Sequence, residues 1–409
     1  VAKKGTSPNR SITLLSFGHA CVDVYQGAVA ALVPFFVSER SYTYAAASGI
    51  VLAASLLSSV IQPLFGALTD RRAMPWLLPV STVVGGAGVA LAGVGGSYAV
   101  TLAAVAVSGI GVAAYHPEAA RVARRASRGS HTAMGWFSLG GNLGFATAPL
   151  LVSAVIATGG LRASPLLLVP ALAGAALCLA ALRGTDAPAP AAAAARADAD
   201  AGTDDWASFR RLSGAVVCRS VVFVGLSAFV SLYVQQRVGG GQAAGTAALF
   251  VLYTGGAVGT VAGGRLATRY GRLPVVRWSY ALTVLAVAGV VLVPGPAVYA
   301  FVALTSAGLY VPFSLHITLG QDYLPRHAGT ASGVTLGLTV SIGGLASPLI
   351  GAAADAVSLQ AALAPLIALP AVGWLLLRTL REPAISEAVT GRPAADTRPG
   401  PRPESTPRP

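Results

Sequence analysis

Charge is what this sequence has least of. Only 11% of its 409 residues are Asp, Glu, Lys or Arg, against about a quarter in a soluble globular chain. With 54% hydrophobic residues and a mean hydropathy of +0.68, the shortage excludes a water-soluble fold. Lysine is confined to Lys3 and Lys4, so the net charge of +13 is carried almost wholly by arginine. Those arginines sit between apolar runs and at the two ends, with no basic stripe interleaved with aromatics, which argues against a nucleic-acid partner. The three cysteines, Cys21, Cys178 and Cys218, all fall inside apolar runs with neither metal-ligand nor disulfide spacing. No P-loop or nucleotide fingerprint is present, and no nucleophile–base arrangement. The expectation is a protein that is not an enzyme and uses no cofactor and no metal.

What the sequence has is long apolar runs of about the 20 residues that a bilayer core requires. They define twelve candidate spans near 12–37, 45–69, 75–94, 98–119, 131–157, 164–182, 209–235, 244–268, 274–293, 297–320, 328–353 and 359–379. The first is read as a retained span rather than a signal peptide, because His19 and Asp23 interrupt its apolar run. With the N-terminus in the cytoplasm, Arg71, Arg72, Arg121, Arg124, Arg125, Arg128, Arg265, Arg269, Arg272, Arg277 and Arg326 all fall on cytoplasmic loops. Only Arg40, Arg162 and Arg237 fall outside. That asymmetry predicts a multi-pass protein with both termini cytoplasmic.

The expected organisation is a first six-helix bundle over 1–183, a cytoplasmic linker over 184–208, a second bundle over 209–381 and a disordered Pro/Arg-rich tail over 382–409. The linker is low in complexity ("GTDAPAPAAAAARADADAGTDD", 184–205). The halves repeat. "GALTDRR" (66–72) returns as "GRLATRYGR" (264–272) at an offset of 198, Pro149 and Pro348 are 199 apart, and His116 and His316 are 200 apart. Two related bundles are the plan of a secondary transporter with its site at mid-membrane between them.

A charge within hydrocarbon costs roughly 2.5–3.5 kcal/mol on insertion scales, so each should face a cavity or a partner. In the first span Ser16, His19, Asp23 and Gln26 follow steps of three, four and three and share one helix face. This stripe either faces a central cavity or forms a hydrogen-bonded seam between helices. Asp23, with His19 four residues away, is the proton-coupling candidate. In "YHPEAAR" (115–121), Pro117 removes a helix bond, which suggests a hinge at the end of that span. His116 and Glu118 point to different sides, His116 toward cargo or proton. Glu118, a further coupling candidate, turns toward Arg121 and a cytoplasmic gate, or is simply solvated. Arg219, about ten residues into the seventh span, needs an anion: Asp23, Glu118 or a cargo group. Gln26, His116, Arg219 and His316 are the candidate cargo-binding residues.

The loop "GALTDRR" resembles the Gly-x-Leu-Ala-Asp-Arg-x-Gly-Arg-Arg pattern of the major facilitator superfamily through Gly66, Leu68, Asp70 and Arg71. In the second copy Gly264, Leu266, Ala267, Arg269, Gly271 and Arg272 match. "GHACVDVYQGAVAALVPF" (18–35), "YHPEAAR" and "GGNLGFATAPLL" (140–151) resemble the fosmidomycin-resistance branch of drug exporters. Ala148-Pro149 stands where related exporters carry a Gly-Pro pair. The resemblance implies an all-α membrane fold of twelve transmembrane helices in two six-helix bundles. It further implies a monomer in the plasma membrane, gating by Asp70, Arg71, Arg72 and Arg121, and proton-driven export of a small anionic compound. Import of a metabolite on the same fold and a non-transporting sensor are the alternatives.

Overall fold

The computed structural model describes residues 8–127, 130–183 and 203–383. The first half comprises α1 (Pro8–Arg40), α2 (Tyr44–Arg71), α3 (Leu77–Ala92), α4 (Tyr98–Ser127), α5 (His131–Ile156) and α6 (Leu168–Leu182), the last entered through a 3₁₀ turn at Gly160–Leu167. The second half comprises α7 (Trp206–Val238), α8 (Gly241–Tyr270), α9 (Arg272–Leu292), α10 (Val298–Tyr310), α11 (Phe313–Tyr323), α12 (Ala328–Ala356), α13 (Leu359–Leu363) and α14 (Ala368–Leu377). Helices are the form the composition dictates, because a lipid-facing backbone must satisfy its own N–H and C=O groups. Among the described residues ten helical segments are long and apolar enough to cross a membrane. The tenth span is α10 and α11 together, and the twelfth is α13 and α14 together.

Three boundaries differ from the sequence expectation. α4 does not stop at a hinge: it runs through Pro117 to Ser127, with Pro117 costing one backbone bond inside a packed helix. The break falls in the other half, where Pro312 separates α10 from α11. At the ends of the second bundle, α7 begins at Trp206. Beyond it Glu382 is held by Arg272, whose Nε donates to Oε1 at 2.6 Å, so the folded part reaches past 381. Most of the linker and tail, and Arg128, lie outside the described residues.

Within each half one pairing is repeated: α1 packs on α5, and α7 on α12. The halves meet through α2 against α12 and α5 against α8. They are hydrogen-bonded at the face where α1 ends. There Asp355, at the end of α12, accepts from the free amides of Tyr44 and Ala45 at 2.8 and 2.9 Å, and Gln236 donates to the Tyr44 hydroxyl at 3.0 Å. A carboxylate on a helix N-terminus satisfies orphan donors and complements the helix dipole, so this is a clasp between bundles.

Candidate functional site: a buried His–Asp–His cluster beside a central cavity

α1 places His19 and Asp23 one turn apart, and α4 brings His116 against them. His116 Nε2 lies 3.0 Å from Asp23 Oδ1 and His19 Nε2 lies 3.3 Å from Asp23 Oδ2. All three side chains are largely buried. The remaining ring nitrogens are committed to the backbone: His19 Nδ1 to the Phe137 carbonyl at 2.9 Å, His116 Nδ1 to the Val112 carbonyl at 2.7 Å. A carbonyl only accepts, so each Nδ1 carries the ring proton. In the neutral rings both Nε2 atoms therefore turn lone pairs toward an acceptor-only carboxylate. That arrangement is repulsive until a positive charge enters. An added proton converts either contact into a charge-assisted hydrogen bond.

α5 completes the cluster. Phe137 supplies both the carbonyl and a ring stacked on His19 with centroids 4.3 Å apart. Gly141 leaves room for the carboxylate, since a Cβ there would stand 2.5 Å from Asp23 Oδ2 and 2.7 Å from the His19 ring. One turn on, a Cβ on Gly144 would meet the Ala20 carbonyl at 2.0 Å. The glycines of "GGNLG" thus let α5 lie close along α1, as small residues do between membrane helices. Phe137 and Gly141 escaped sequence reasoning, because the glycine string was read as a repeat landmark and not as a surface for α1.

The other expected residues are distributed differently. Glu118 is fully buried and takes a two-pronged contact from Arg121, with Nε donating to Oε2 at 2.8 Å and Nη2 to Oε1; it does not join Asp23. Arg219 is 2% exposed and, among the described residues, forms an ion pair with neither Asp23 nor Glu118. Its Nε donates to the Leu309 carbonyl at 2.5 Å, and its guanidinium lies 5.3 Å from the Phe313 ring centroid. Leu309 is next to last in α10, so the arginine caps a helix end that the Pro312 break leaves open. A cation is favoured there by the helix dipole. His316 is buried on α11 with its Nε2 3.5 Å from the Tyr280 hydroxyl. Arg71 and Arg72 are exposed, while the Asp70 side chain lies outside the described residues. Ser16 turns back to the Ile12 carbonyl at 2.7 Å.

Between the halves lies a cavity of about 320 Å³. Its walls carry hydroxyls and amides (Gln26, Ser55, Ser59, Gln62, Ser108 and Ser227 among them) and the rings of Tyr25, Phe145, Phe223 and Tyr253. Gln26 alone of the four expected cargo residues lines it. The cluster is its neighbour: Asp23 precedes Gln26 by one turn, and His116 follows Val112, another wall residue, by one turn. The wall extends along α2 to Pro63 and along α12 to Gly333, away from the Asp355 clasp.

The sequence profile of the Major Facilitator Superfamily matches residues 15–348. The chain belongs to that superfamily. It is similar to the fosmidomycin resistance protein of Escherichia coli K12, with 29% identity over 372 residues covering 89% of this chain and 91% of that protein. An uncharacterized MFS-type transporter of Bacillus subtilis 168, YfnC, is 28% identical over 390 residues, covering 92% and 94%. In structure the chain is similar to a bacterial homolog of the human lysosomal transporter Spinster in an inward-facing, occupied conformation. That match has a TM-score of 0.74 at 16% identity, covering 91% of this chain and 97% of the other. The protein is a multi-pass membrane transporter of two six-helix bundles, and not an enzyme.

Proposed function

We propose that this transporter is a proton-coupled exporter of a small organic compound in the plasma membrane, with His19, Asp23 and His116 as its coupling site. One observation carries the reading: two imidazoles, each with its Nδ1 proton fixed on a backbone carbonyl, aim unprotonated Nε2 atoms at one buried carboxylate. The cluster is incomplete without added protons. It lies beside the inter-bundle cavity, where its charge state acts on whatever the cavity holds. The arginine asymmetry supports an orientation with both termini in the cytoplasm. On that orientation the Asp355 clasp closes the outer side, and the cavity extends toward the cytoplasm. The Glu118–Arg121 pair and the arginines of the α2–α3 loop then serve as the inner gate.

For cargo, the likeness to a fosmidomycin resistance protein supports a small anionic compound of that kind. The hydroxyls and amides of the cavity wall are donors that suit phosphonate oxygens. The second reading is import, favoured by electrostatics if cargo and protons bind together. A cluster loaded with two protons is net positive and attracts an anion, whereas exchange requires each to displace the other.

Purified protein in proteoliposomes, given an imposed pH gradient and a panel that includes fosmidomycin, tests the proposal. Export by exchange predicts cargo accumulating in the more acidic compartment. Accumulation in the opposite compartment establishes import with protons, and a flux indifferent to pH removes proton coupling altogether.

A further inference from the structure

We propose that His19, Asp23 and His116 also form a binding site for a divalent transition-metal ion of the zinc type. Three donors from two helices converge here, all within 4.8 Å of one another. They are two imidazole nitrogens and a carboxylate, a set that zinc sites commonly use with one position left for water. The Nε2-to-oxygen separations are 3.0 and 3.3 Å. Donors each about 2.0–2.1 Å from a tetrahedral zinc stand roughly 3.3 Å apart, so each imidazole is near that spacing from one of the two Asp23 oxygens, and the whole set, within 4.8 Å, needs only a small closure onto a shared ion.

The surroundings fit as well. A metal-bound histidine normally donates its other ring N–H to a carbonyl or carboxylate, which fixes tautomer and orientation. Both histidines do so here, to Phe137 and Val112. His19 Nε2 is buried without a hydrogen-bond partner, an orphaned lone pair aimed into the cluster. Its side chain is only 10% exposed, so water offers little compensation. Gly141 keeps the space between His19 and Asp23 clear, where any larger residue would intrude.

Zinc binding requires only this geometry. Its consequence rests on the coupling reading: an ion here occupies the lone pairs that protons would use and arrests gradient-driven transport. Binding is therefore measured without cargo or gradient. Full-length protein without a polyhistidine tag, in nanodiscs, is titrated with zinc chloride by calorimetry. The expected result is one saturable site per chain, weakened at least tenfold in His19→Ala and in His116→Ala. It should be unchanged in His327→Ala, which removes an exposed histidine paired with Asp204. X-ray absorption at the zinc edge on the wild-type protein keeps the proposal testable if the cluster variants fold poorly, and should show two imidazoles and oxygen donors. Absence of a saturable site, persistence of full affinity in both cluster variants, or a spectrum without two imidazoles overturns it. Absence of zinc binding in wild-type protein whose pH-driven transport is intact would reject the metal site and leave the coupling reading standing.

Discussion

Each half of this transporter buries charge within its membrane-spanning helices, and the two do it in different ways. The first half surrounds a carboxylate with two histidines whose protonation can change. The second half buries an arginine, which cannot readily lose its proton, and supplies no carboxylate partner for it among the described residues. Arg219 instead spends its charge on the broken end of α10 and the faces of Phe313 and Tyr310. Proline follows the same division. Pro117 sits beside His116 inside an unbroken α4, whereas Pro312 splits the corresponding span and creates the carbonyl that Arg219 caps. A repeat that preserves landmarks within two residues of a common offset has therefore not preserved chemistry: at the paired histidine positions one copy holds a carboxylate between two imidazoles, the other an arginine on a helix end.

The largest expected effect lies in the first half. Arg121→Ala leaves Glu118 buried and uncompensated, a loss that typically costs about 3–5 kcal/mol. The midpoint of thermal unfolding should fall sharply, and Glu118→Gln added to Arg121→Ala should recover most of it. A single variant as stable as wild type would show that the pair is not a buried one. Next comes Gly141→Ala. Its methyl group must displace the Asp23 carboxylate or the His19 ring, at the roughly 1–3 kcal/mol usual for overpacking, with coupling impaired more than stability. Equal coupling in this variant and wild type would separate Gly141 from the cluster. The smallest effect belongs to Arg219. Arg219→Met removes a helix cap and a buried charge together, and the net change should stay within about 1 kcal/mol. In a double-mutant cycle with Asp23→Asn the two changes should add. Strong coupling between them would erase the contrast between the halves.

Much of this was legible in the sequence. The twelve spans follow from the apolar runs, and the two-bundle plan from the offsets of "GALTDRR", the prolines and the histidines. His19, Asp23 and Gln26 share a face because helical spacing is local arithmetic, and Glu118 meets Arg121 for the same reason. What the sequence withheld depends on helices meeting. The third member of the cluster lies 93 residues from Asp23, so no ligand spacing could announce it. The Nδ1 partners are backbone carbonyls, invisible in any residue pattern. Arg219 looked in need of an anion, from Asp23, Glu118 or a cargo group, because nothing local showed that α10 would end at its side. Asp355 was passed over because its role, capping α2 from the opposite bundle, exists only once the halves are assembled.

Asp23 and its two histidines are proposed to carry the coupling protons. The most direct test is to follow one transported cargo in proteoliposomes in two ways, for wild type and for Asp23→Asn. The first is exchange of labelled for unlabelled cargo without a gradient, and the second is accumulation driven by a pH gradient. Asp23→Asn is expected to keep exchange, because the cavity wall is intact, and to lose accumulation. Accumulation at the wild-type level in Asp23→Asn would contradict that role.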